Sequence, residues 1–188
     1  MAEGKNGGEE TASGLDASKL KIVLILAVII IPAAALGVFV IGGEGAVNTG
    51  PKVETEAGPF VSGETGVGGE DQTVVIRHTG GDTIDMTEAS IHVSIPDKGR
   101  EATLVNLPVG DRLDLEANVD GMDMFDRGFG GVGGAITSTE WSEGQELRFR
   151  IKYSAGGMRL QPGDTVVVRM EDEESGSTVF EKEITAEE

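Results

Sequence analysis

Only His78 and His92 are available as imidazole bases, and neither has a serine and an acid at a spacing that builds a triad. No G-x-S-x-G elbow occurs. With no cysteine in the chain, thiolate catalysis and cysteine-bound zinc are excluded. Gly128-Phe129-Gly130-Gly131-Val132-Gly133 matches G-x-G-x-x-G in form, but a dinucleotide site needs a strand before it and a helix after it. The continuation Gly134-Ala135-Ile136-Thr137 is not helix-forming, and no phosphate-loop Lys-Ser/Thr follows, so a mobile loop is expected at Gly128–Gly134. Asp111, Asp114, Asp120, Asp123 and Asp126 crowd one region with the oxygens that calcium favours. Their spacing does not fit the helix-loop-helix calcium pattern, and in a chain this acidic a solvated surface accounts for them. A weak cation site is the alternative. These readings assign no catalytic, cofactor-binding or metal residue, and the chain reads as a non-enzyme without a cofactor. No N-x-[ST] acceptor occurs at Asn6, Asn48, Asn106 or Asn118.

The residues that would position such groups alternate with period two, the signature of half-buried strands. Val74, Ile76 and His78 share one face of Thr73–His78. Ile91, Val93 and Ile95 alternate with His92 and Ser94, while Thr103–Leu107 is short and apolar on both faces. Leu113, Leu115, Ala117 and Val119 alternate with Arg112, Asp114, Glu116 and Asn118. Leu147, Phe149, Ile151 and Tyr153 alternate with Arg148, Arg150 and Lys152, the clearest such pattern in the chain. Val166, Val168 and Met170 follow, and a last strand around Thr178–Ile184 lies beyond the turn residues Glu173-Glu174-Ser175-Gly176. This predicts an all-β fold, an immunoglobulin-like β-sandwich of about seven strands. On this reading His78 ends an apolar face, His92 points outward, and both are structural. Trp141 is a candidate core residue.

Ahead of the strands, Ile22–Ile41 is a run of twenty uncharged, mostly apolar residues. At about 1.5 Å per residue it reaches roughly 30 Å, one hydrocarbon thickness. Pro32 is tolerable in a membrane helix, Asp16 or Ser18 offers a start, and Gly42-Gly43 a stop. Lys19 and Lys21 precede the run, and Glu44 is the first charge after it. The positive-inside bias therefore puts the N-terminus in the cytoplasm and the strands outside. A cleaved secretory signal, with Ala33-Ala34-Ala35 as the cutting site, sends them to the same side. Ala33 and Gly37 form a small-xxx-small pair that lets helices approach. The expected organisation is a disordered cytoplasmic tail or leader at 1–18 and a transmembrane or pilin-like helix at 19–43. A linker follows at 44–71, with Pro59-Phe60-Val61 able to pair as a short strand, and then an extracellular sandwich at 72–188.

The net charge of −18 across 188 residues repels phosphate backbones and excludes nucleic acid as a partner. The acids lie between alternating apolar residues, which favours a hydrated folded surface over a disordered one. Acid-rich, lysine-poor composition of this kind resembles that of proteins from salt-loving microbes, where salt screens the self-repulsion.

The stretch Val74-Val75-Ile76-Arg77-His78-Thr79-Gly80-Gly81-Asp82-Thr83-Ile84 resembles the strand and HTGGD turn of archaeal, particularly haloarchaeal, type IV pilin-like proteins. Trp141-Ser142-Glu143-Gly144-Gln145 and Leu160-Gln161-Pro162-Gly163-Asp164-Thr165-Val166 are similar to that family's later turn and strand start. The resemblance implies an N-terminal hydrophobic helix, a β-sandwich head outside the cell, and membrane lipid and other pilin-like subunits as partners. In the motif, Gly80-Gly81 would supply positive φ and Asp82 would fold its carboxylate onto nearby N–H groups. One departure stands out. The family's leader is basic and ends in a small residue at the helix, whereas here the preceding segment carries Glu9, Glu10 and Asp16, with Gly14 its nearest glycine. Leader cleavage and filament assembly are therefore left open. A membrane-anchored, pilin-like surface protein is the function expected, with a monomeric anchored binding module, working through loops such as Gly128–Gly134, as the alternative.

Overall fold

In the computed structural model the described residues are 50–63, 71–128, 130–153 and 159–188, all within one unit, Gly45–Glu188. Valine- and isoleucine-rich alternation builds its two larger sheets. The first contains β1 (Val53–Ala57), β2 (Thr73–Gly81), β7 (Val132–Gly134) and β9 (Glu146–Arg150), in the order β1-β2-β9-β7. The second contains β4 (Ala89–Ile95), β5 (Arg100–Leu104), β6 (Val119–Gly121), β10 (Thr165–Asp172) and β11 (Ser177–Thr185), in the order β11-β10-β4-β5-β6. A short ribbon pairs β3 (Ile84–Asp85) with β8 (Glu140–Trp141). All of these pairings are antiparallel.

One core joins the sheets. Val74, Ile76, Leu147 and Phe149 point in from the first; Ile91, Val93, Val168 and Met170 point in from the second. Trp141 bridges them, 5.1 Å between ring centroids from His78 on β2 and 5.5 Å from Phe180 on β11. Its complete burial fulfils the expectation for this residue. Two antiparallel sheets facing across a shared apolar layer are consistent with a β-sandwich. The alternating faces expected for β2, β4, β9 and β10 are present, a last strand, β11, follows as expected, and Glu173–Gly176 is the expected turn, with Gly176 at φ +65°.

Four expectations are corrected. The alternation at Leu113–Val119 does not make one strand. Leu115–Asn118 is a single helical turn, α1, because Asp114 Oδ1 accepts from the N–H groups of Glu116 and Ala117 and caps it. Asn118 is buried there, and its amide donates to the carbonyls of Val105 and Asn106. The strand placed at Thr103–Leu107 is Arg100–Leu104 instead: Gly99, left-handed at φ +57°, starts it early, and Asn106 at φ +52° ends it. Within the stretch read as linker, Val53–Ala57 forms an unexpected edge strand, whereas the pairing allowed at Pro59-Phe60-Val61 is present as a bridge from Val61 to Glu187, with Phe60 buried. Tyr153 does not continue the buried face of β9; it is half exposed. The expected tail and membrane helix lie outside the described residues, as does the stretch 64–70 of the expected linker. Among the described residues no helix is long and apolar enough to cross a membrane.

Candidate functional site

The HTGGD segment is the far end of β2, not a free turn. Val53 and Glu54 pair with Gly81 and Gly80, with a bulge between Glu54 and Thr55. Gly81 alone of the two glycines has positive φ, +100°. Asp82 does bind backbone as expected, across the sheet: its carboxylate accepts from Lys52 N–H at 3.0 Å, and its own N–H donates to the Lys52 carbonyl at 2.8 Å. His78 is buried and its Nε2 lies 2.8 Å from the Asp82 carbonyl. A carbonyl can only accept, so Nε2 carries the hydrogen. The Gln145 carbonyl receives both the His78 backbone N–H, at 3.0 Å, and Trp141 Nε1, at 3.2 Å. The arrangement is a lock between β2 and β8. His92, half-buried on β4, has Nδ1 3.2 Å from Thr103 Oγ1. Neither histidine meets both a nucleophile and an acid.

Three of the five aspartates hold backbone or cations, and two of them, Asp123 and Asp126, lie with the glycine run beside β9. Asp114 caps α1. Asp126 accepts from Gly128 N–H at 2.8 Å and pairs with Arg150 at 2.7 Å. Asp123 pairs with Lys152 at 2.7 Å and Arg127 at 3.5 Å. Asp111 and Asp120 are exposed. Among the described residues no group of three or more His, Asp or Glu is placed to hold a metal ion.

The glycine run is ordered by close approach, which corrects the expectation of a mobile loop for its described part. A Cβ on Gly131 would meet the Asp126 carbonyl at 2.2 Å, and one on Gly134 the Glu146 carbonyl at 1.9 Å. Val132–Gly134 is paired with β9, and the chain then makes a three-residue 3-10 turn at Ala135–Thr137. No helix N-terminus is presented to a phosphate. Phe129 lies outside the described residues.

The sequence pattern does not reveal the outer face of the first sheet. Alternation turns Thr73, Val75 and Arg77 outward from β2, and Glu146, Arg148 and Arg150 outward from β9. Register aligns Glu56, Arg77 and Glu146 in one row, with Arg77 and Glu146 hydrogen-bonded at 2.6 Å. The next row is Val75, Arg148 and Gly133. Arg148 lies over Gly133, whose absent side chain makes the room: a Cβ there would be 3.0 Å from the guanidinium. Arg148 has no ion-pair partner among the described residues. Exposed pairs such as Arg77–Glu146 contribute only about 0–1 kcal/mol, and on this face Arg77 and Arg150 are matched by Glu56, Glu146 and Asp126. Gln72 carries no signal in the sequence either. It is fully buried at φ +57°, accepts from Leu160 N–H at 2.8 Å, and donates to the Ile151 carbonyl at 3.2 Å.

No family model matches the chain, and no curated protein matches it.

Proposed function

We propose that this chain is a membrane-anchored, pilin-like cell-surface structural protein. Its N-terminal helix sits in the membrane, or assembles with other pilin-like helices, and its acidic β head faces outside. The observation that carries the reading is the pairing of an apolar run long enough to span a bilayer, Ile22–Ile41, with an all-antiparallel β unit C-terminal to it. The sandwich is read as immunoglobulin-like: the chain passes from β2 to the second sheet, returns through β7 and β9, and crosses again to β10 and β11. The HTGGD residues act as a clasp on β1, a structural use that suits a scaffold rather than an enzyme. The archaeal and halophilic character rests on the pilin-like resemblance and on the −18 charge. A second reading, a monomeric anchored module that binds a ligand, is favoured by the exposed Arg148 face.

Intact-protein mass spectrometry of membrane and sheared extracellular fractions from the native cells tests this. A chain shortened to begin near Leu15–Ile22 and recovered in sheared filaments is the result expected of a pilin. Full-length chain found only in membranes sinks the filament and leaves an anchored surface domain. Chain found only in the soluble fraction sinks the anchor as well.

A further inference from the structure

Antiparallel register sorts the strand termini into two ends of the β unit. Val53, Gly81, Glu146 and Gly134 mark the near end of the first sheet. Ala89, Leu104, Val119, Asp172 and Ser177 mark the same end of the second, since Gly50, just before β1, lies against Ser177 with no room for a side chain between them. The far end holds Phe60–Gly63, Gln72, Pro96–Lys98 and Leu160. The stretch Lys52–Gly63 runs from one end to the other and is held by both sheets. At the near end the Asp82 clasp fastens Lys52 by two bonds, 2.8 and 3.0 Å. The pairing with β2 follows, as far as Ala57 with Ile76, and Gly58 N–H then donates to the Val75 carbonyl at 2.9 Å. Beyond this point the chain changes partners. The Phe60 carbonyl accepts from Glu187 N–H at 2.8 Å, and Ser62 and Gly63 donate to the carbonyls of Glu187 and Leu160 at 2.9 and 3.0 Å. Glu187 follows β11 and Leu160 precedes β10, two strands of the second sheet. Between these bonds Phe60 is 1% exposed, its ring sunk in the shared core.

We propose that Lys52–Gly63 is a tension strap, which passes a pull on the N-terminal chain into both sheets at once and keeps the edge strand from peeling. The pull reaches the unit at Lys52, at the near end, and runs along the axis of β1. Antiparallel hydrogen bonds lie perpendicular to the strands. Tension along β1, with the far end held, therefore shears all of them together, whereas a sideways pull would break them one by one. Two fastenings resist sliding. β1 cannot advance out of the near end without dragging Phe60 from the core, and Asp82 grips Lys52 through both its N–H and its carbonyl. Both fastenings lie outside the strand, whose own residues are only half-buried or exposed. Without them β1 would be the first strand to leave. The inference rests on the proposed anchor for the source of the pull, and on nothing else in that reading.

The chain has no cysteine, so the handles of an optical tweezer attach only to introduced thiols. The full chain in detergent is pulled between Lys52→Cys and Asp97→Cys, at opposite ends of the unit. A second path, Asp97→Cys to Glu174→Cys, shears β4 against β10 and bypasses the strap. All three side chains are exposed, and fluorescence of the sole tryptophan, Trp141, verifies that each variant is folded. Through the strap one rupture is expected, releasing the chain between the handles, about 150 Å at about 3.3–3.6 Å per residue. A first step of only about 70 Å, the chain from Lys52 to Gln72, is β1 peeling alone and overturns the proposal. Asp82→Ala removes the carboxylate from the clasp. It is expected to shorten the lifetime at constant force roughly tenfold on the strap path and less than about twofold on the other. Equal shortening on both paths makes Asp82 a general stabiliser, and no shortening leaves the clasp without tension; either result overturns the strap. Both paths lie within the β unit, so the outcome is independent of the anchor, which stands or falls by the fractionation above.

Discussion

Replacing Gly81 with alanine separates the clasp reading of HTGGD from any reading in which its glycines serve only as a flexible turn. Gly81 sits at φ +100°, where an L side chain is strained by about 1–3 kcal/mol. Its Cβ would stand 2.3 Å from the Lys52 carbonyl and 3.0 Å from Val53 Cα, both backbone. Neither can yield without moving the start of β1. That movement stretches Asp82 N–H to the Lys52 carbonyl and Lys52 N–H to the Asp82 carboxylate, now 2.8 and 3.0 Å. A neutral hydrogen bond contributes about 0.5–1.5 kcal/mol and one to a charged group about 1.5–3. Partial loss of both, added to the strain, predicts a total near 3–5 kcal/mol.

Gly80→Ala is the internal control. Gly80 has no positive φ, and its Cβ would meet the Glu54 carboxylate end at 3.3 Å, a flexible side chain able to swing aside. Its cost is expected below about 1 kcal/mol. Urea unfolding of the full chain in detergent, followed by the fluorescence of buried Trp141, gives both values from the midpoints. Equal costs for the two substitutions, or a Gly81→Ala chain within about 0.5 kcal/mol of the parent, would refute the clasp.

Trp141→Ala removes the ring that touches both His78 and Phe180 and is expected to cost about 3–5 kcal/mol, read as a fall in the calorimetric midpoint. Asn118→Ala loses two donated bonds, to Val105 and Asn106, and the bond its Oδ1 accepts from Asp114 N–H. About 2–3 kcal/mol is expected, with amide exchange accelerating first at Val105 and Asn118. Acid titration has a defined sign. Burial pushes the Asp164 carboxyl up, but the Lys98 ammonium and the Gln161 N–H outweigh it and leave it below the ordinary 3.8. Thr87, through its hydroxyl and N–H, holds Asp85 below 3.8 too. Both stabilise above the unfolded-state value, and that stability is lost as pH falls from about 4 through the folded-state values. Lys98→Met should flatten this acid limb in a pH series of unfolding midpoints; an unchanged limb would remove Asp164 as its source.

The strands legible in the sequence are those whose outward residues are polar and whose inward ones are β-branched or aromatic. In β4 and β9 every inward residue is apolar, so period two is visible without knowing the partner. Leu113–Val119 shows the same alternation and misleads. There the decisive term is local: Asp114 reaches its own chain two and three residues on, a capping bond worth about 1 kcal/mol. That outweighs a weak strand preference over four residues. The edge strand β1 escapes notice because its pattern, half-buried and exposed by turns, is made of Val, Glu, Thr and Ala, the composition of a linker. Only its pairing with β2 distinguishes it.

The candidate site divides in the same way. Glycine and aspartate counts draw attention to 111–134, yet several of those residues are committed to backbone: Gly131 and Gly134 to close approach, Asp114 and Asp126 to N–H groups. Charge shows the reverse. The total, −18, is plain, but a total contains no direction. Arg77, Arg148 and Arg150 become one face only through the pairing of Arg77 with Glu146 and Val75 with Arg148. Glu101 and Glu183 become one row only through Ser94 and Val167 between them. A register slip of one residue in β9 would turn all its arginines into the core. Leu147 and Phe149, buried completely, forbid that slip. The apolar pattern that makes the core thus also fixes which way the cations face, and the polarity of the outer faces is set by the burial of the inner ones.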